Sequence, residues 1–122
     1  DKMEVLDWSS NIREKQDMSE IASFNQEYVN QMLNYWEENL PNIFRRQKDI
    51  LVADAVLEMF RRRENIENFN KKALYILIRE MTGSKTQHIT RIVNVMKKYN
   101  VSLMKEFQET GQLDTANTGS FL

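Results

Sequence analysis

The chain has no cysteine, one proline, three glycines and one histidine in 122 residues. Without cysteine there is no disulfide framework and no thiolate metal site, and the lone His88 cannot supply a histidine cluster for a metal. The same absence fits a reducing compartment. So few breaker residues exclude a sandwich, a barrel or a glycine-rich phosphate loop, all of which need more turn points. No apolar run approaches the roughly 20 residues that a membrane helix requires. The opening DKMEVLDWSS is acidic and polar, unlike a signal peptide. There is no Walker loop, G-x-S-x-G or H-E-x-x-H, and the adjacent Glu37 and Glu38 would point about 100° apart on a helix. The expectation is a cytoplasmic, all-α protein that is not an enzyme and has no cofactor, metal or membrane span.

What is present is helical periodicity. Residues 1–16 show little of it and are expected to form an irregular N-terminal arm, with Trp8 docked on the body. Asp17 and Glu20 have capping-box spacing. Ile21, Phe24, Tyr28, Met32, Tyr35, Trp36 and Leu40 then recur every three or four positions, predicting a helix over about 18–39 that stops before Pro41. Its aromatic stripe suits either a core or a homodimer seam. A second helix is expected over about 42–63, in one piece or broken near Lys48 and Asp49. A third, capped by Asn68 or Asn70, covers about 70–82, and Gly83 suits the left-handed position after its end. Ser84 and Gln87 form a second capping box. A fourth helix runs from about 85 to 99 and either restarts at Ser102 or continues toward Gly111. At this length the helices make one domain, 17–110, a compact bundle of four to five helices, followed by a flexible tail, 111–122.

The net charge of −1 conceals an uneven distribution. Residues 1–44 carry three bases against nine acids, whereas residues 45–105 carry fourteen bases against six acids. A basic body behind an acidic front points to a polyanion partner for the body.

The strongest local signal is the stretch 81–100, MTGSKTQHITRIVNVMKKYN. Ile89, Ile92, Val93 and Met96 repeat at core-facing intervals. The opposite face presents Gln87, Arg91, Asn94 and Lys98, with Thr86 and Thr90 beside it. Arginine pairs with guanine, and asparagine or glutamine with adenine, through two-pronged major-groove contacts. Lysine and threonine hold phosphates. The segment 78–98, IREMTGSKTQHITRIVNVMKK, resembles the helix-turn-helix core of small bacterial and phage regulators. The resemblance implies a tri-helical core whose helix-turn-helix covers about 70–99, recognition-helix positions at Thr86, Gln87, Thr90, Arg91 and Asn94, and Ser84 and Lys85 at the turn. The following YNVSLMKEFQETG reads as helix and not as the two strands of a wing.

The expected function is DNA binding in transcription regulation. Lys85, Thr86, Gln87, Thr90, Arg91, Asn94 and Lys98 would contact double-stranded DNA, and Arg61, Arg62, Arg63, Lys71 and Lys72 would anchor phosphates. The alternative is a helical adaptor that binds a protein such as RNA polymerase. It would use the acidic, aromatic first helix or a tail ending in Phe121 and Leu122.

Overall fold

The computed structural model describes residues 26–67 and 69–114, and within them every regular element is helical. The elements are α1 (Gln26–Ile43), α2 (Gln47–Arg61), a 3₁₀ turn (Arg63–Asn65), α3 (Lys71–Thr82) and α4 (Thr86–Thr110). The all-α class expected from the scarcity of breakers is observed. No helix among the described residues is long and apolar enough to cross a membrane. The expected N-terminal arm, the Asp17–Glu20 pair, Ile21, Phe24, Asn68 and the Phe121–Leu122 end lie outside the described residues.

The stripe of α1 faces inward. Tyr28, Val29, Tyr35 and Trp36 are wholly buried, and Met32 and Leu40 nearly so. Trp36 sits edge-on to Tyr35 and Tyr99 at 5.6 and 5.3 Å and stacks with Phe44 at 6.3 Å. Tyr28 meets Phe107 edge-on at 5.5 Å. These separations are favourable for aromatic pairs. The described part of the stripe therefore lies in the protein's own core, which removes it as the homodimer seam considered above.

Two helix boundaries differ from the expectation. α1 passes through Pro41 and ends at Ile43. A proline deletes one backbone donor and crowds the preceding turn, but here only two helical residues follow it. Leu40 and Phe44, buried on either side, hold that turn on the core, with the Phe44 N–H bonded to the Leu40 carbonyl at 2.8 Å. The break falls at Phe44–Arg46, so α2 starts at Gln47.

α4 is one continuous helix of 25 residues. It does not break at Ser102 because the apolar face continues: Ile89, Ile92, Val93, Met96, Tyr99, Leu103 and Met104 are all buried. Its C-terminal half lies along α1, where the Tyr28 hydroxyl donates to Asn100 Oδ1 at 2.6 Å. Gly111, at φ 79°, ends it in the left-handed conformation. The next residues, expected to belong to the tail, fold back. Leu113 is buried, its N–H bonds Gln31 Oε1 at 2.8 Å, and the Asp114 N–H bonds Glu106 Oε2 at 2.9 Å.

Candidate nucleic-acid interface

The α3–α4 unit is assembled by local chemistry. Asn70 caps α3, its side chain accepting from the Ala73 N–H at 2.9 Å. Gly83, at φ 71°, closes α3 and donates its N–H to the Arg79 carbonyl at 2.8 Å. Thr82 Oγ1 donates to the Ile78 carbonyl at 2.8 Å and accepts from the Ser84 N–H at 3.2 Å. Ser84 is thereby part of the turn, and the capping residue of α4 is Lys85, without a side-chain cap bond. The Ser84–Gln87 capping box is not formed. Across the turn, Arg79 Nη2 instead donates to Thr86 Oγ1 at 2.8 Å.

Burial of Leu74 and Ile78 on α3, and of Ile89, Ile92, Val93 and Met96 on α4, turns the opposite side of α4 outward. That side borders a groove of about 880 Å³. Thr86, Gln87, Thr90, Arg91, Asn94, Val95 and Lys98 line it from α4, and Lys71 and Tyr75 from α3. Six of the seven residues assigned to DNA contact thus share one surface. Among the described residues that line it, none is acidic. The seventh, Lys85, is exposed and borders a second recess of about 730 Å³ around the turn, with Lys48, Leu51, Thr82, Gly83, Ser84, Gln87 and His88. Gln87 belongs to both.

The individual residues are unequal. Gln87 and Lys98 are exposed. Thr90 is half-buried, its hydroxyl 3.2 Å from that of Tyr75. The Lys71 ammonium lies 5.7 Å above the Tyr75 ring, a cation–π distance. Asn94 is also half-buried, and its Oδ1 is shut away from solvent without a hydrogen-bond partner among the described residues. Asn94 therefore offers the groove at most its Nδ2, short of the donor and acceptor that an adenine contact uses.

Arg91 is anchored from behind. Its Nη2 donates to Asp49 Oδ1 at 2.9 Å, and His88 Nε2 lies 2.7 Å from the same oxygen. Asp49 belongs to the first turn of α2 and is buried. Burial would raise its carboxyl pKa, but the hydrogen bonds from Arg91 and His88 outweigh that and hold it below the ordinary value.

The arginine run has other partners. Arg61 pairs with Glu37 at 3.1 Å, Asp54 at 3.4 Å and Glu58 at 3.0 Å. Arg62 pairs with Glu58 at 2.6 Å. Arg63 bonds the Phe60 carbonyl and Gln26 Oε1. Arg61 and Arg63 line a separate recess with Asn30, Leu33, Glu64 and Asn65. Lys72 is exposed on α3.

Sequence reasoning missed Asp49, Lys48 and Tyr75. The first had a legible signal, since Asp49 shares the helical stripe of Val52, Ala53, Val56 and Phe60, and an acid on an apolar stripe needs a partner. No family model matches this chain, and neither the curated proteins nor the solved structures compared with it include a similar one.

Proposed function

We propose that the α3–α4 face binds duplex DNA, that residues 70–99 act as a helix-turn-helix unit, and that the protein is a small transcription regulator. The reading rests on one observation: six residues with base- and phosphate-binding chemistry line a single groove with no acid among its described lining residues. In this reading Arg91 pairs with guanine and Gln87 with adenine. Lys71, Lys85 and Lys98 hold phosphates, and Lys48 joins them beside the turn. The open first turn of α4 adds the positive end of its helix dipole to the Lys48–Lys85 recess. Arg61 and Arg62 contribute less than their number suggests, because acids already meet their charge.

A second reading has its own observation. Leu51, Ile76 and Met81 are exposed at 53%, 44% and 49%, and Leu51 borders the recess with Lys48 and Lys85, which suits an adaptor that binds an acidic protein. Salt-dependent affinity for duplex DNA separates the two.

The test is an anisotropy titration of a labelled random-sequence duplex at low and moderate salt. Binding should weaken as salt rises, and Lys85→Ala should lower the logarithmic salt slope by about one. Arg91→Ala should cost about 1–3 kcal/mol on a preferred site and little elsewhere. Absence of binding at protein concentrations on the order of tens of micromolar in low salt refutes DNA recognition.

A further inference from the structure

We propose that Asp49 is a positioning residue that fixes the Arg91 guanidinium for reading a guanine, an inference that rests on the duplex-DNA reading above. Asp49 is the only buried carboxylate among the described residues. Its side chain is 9% exposed, that of Arg91 52%. The pair is therefore buried at the carboxylate and half exposed at the arginine side chain, which borders the groove beside Gln87 and Lys98.

The two α4 residues that reach Asp49, His88 and Arg91, are three positions apart and so lie on one helix face. His88 Nε2 and Arg91 Nη2 converge on the same Oδ1, and the contact to His88 fixes where that oxygen sits. Arginine is a long, rotamer-rich side chain, and holding one of its nitrogens in advance reduces the ordering that binding must impose. The bond to Asp49 uses one Nη2 hydrogen. The donors on Nη1 and Nε and the second Nη2 hydrogen remain, and guanine O6 and N7 require two of them. A clamp that served only to stitch α2 to α4 would not need its arginine half exposed at the rim of a cation-lined groove.

The experiment starts from a duplex enriched by the wild-type protein from a randomised pool. The readout is the affinity ratio between this duplex and the same duplex with its Arg91-dependent guanine replaced by adenine, for wild type, Arg91→Ala, Asp49→Asn and the double variant. Helix content is followed by circular dichroism. Arg91→Ala should remove the ratio. Folded Asp49→Asn should reduce it by about tenfold, and should reduce it no further when Arg91 is already alanine, because Asp49 acts through Arg91. An unchanged ratio in folded Asp49→Asn, or equal losses in both backgrounds, overturns the inference while leaving DNA binding in place. An enriched duplex with no Arg91-dependent guanine does the same. No enrichment by the wild type overturns the DNA reading and the inference together. If Asp49→Asn does not fold, Asp49→Glu, which keeps the charge and displaces the carboxylate by one methylene, is measured instead. It too must lose the ratio, and a wild-type ratio in Asp49→Glu overturns the inference.

Discussion

Lys97→Met tests how the core tolerates its one buried ammonium among the described residues. Lys97 is 0% exposed, in the middle of α4. Burial disfavours its charged form and lowers its pKa from 10.5 to about 8. Below pH 8 the side chain is protonated both in the fold and in the unfolded chain, so the fold carries what burial costs the ammonium beyond what its contacts return. The gap between the two values corresponds to about 3 kcal/mol. The contribution improves as pH rises from 8 toward 10.5, where the unfolded chain binds the proton that the fold has already released. Methionine is unbranched, of similar length and uncharged. Lys97→Met should therefore shift against the wild type by up to about 3 kcal/mol as pH rises from 7 toward 10.5. It should also lack the rise between pH 8 and 10. Above pH 10 both proteins should weaken, since burial raises the phenol pKa values of Tyr28, Tyr35 and Tyr99 and only the unfolded chain ionises easily there. Urea unfolding followed by circular dichroism from pH 7 to 10 measures this. A variant that keeps the alkaline rise of the wild type would refute the reasoning.

Three smaller perturbations have defined outcomes. Gly83→Ala should cost about 1–2 kcal/mol, all of it backbone strain, because a Cβ there meets nothing within 4 Å; thermal unfolding checks the size. Asn70→Ala should cost about 1 kcal/mol by removing the bond to the Ala73 N–H, and hydrogen exchange should show the loss in the first turn of α3. The lowered pKa of Asp49 means that its stabilisation is present above the ordinary aspartate value and is lost as pH falls below it. Unfolding midpoints of Asp49→Asn should accordingly fall less steeply than those of the wild type on acidification.

The helical class, the α3–turn–α4 unit and the outward face of α4 were legible in the sequence because each is local. Gly83 needs no tertiary information to take a positive φ, and Ile89, Val93 and Met96 announce their burial by spacing alone. What was not legible depends on contacts distant in sequence. Pro41 stays inside α1 because Leu40 and Phe44 dock on a core built largely from other helices. Arg61 is exposed by pattern, yet its charge is met by Glu37, 24 positions away. Arg91 was correctly placed on the outer face, but its anchor, Asp49, lies 42 positions earlier. Asn94 has the right residue type for a base contact, and the packing around it closes its Oδ1. Local periodicity sets which face points outward, and tertiary contacts decide which of its donors and acceptors remain open.

The most direct test of the central claim is an NMR titration of the isotopically labelled protein with duplex DNA at low salt. The amide and side-chain resonances of Lys71, Thr86, Gln87, Thr90, Arg91 and Lys98 are predicted to shift together, and the shifts to disappear as salt is raised. Resonances of Asn30, Arg61 and Asn65, around the separate recess, should stay in place. Shifts confined to that recess, or no shifts at any duplex concentration, would contradict the assignment of the α3–α4 groove as the DNA-binding face.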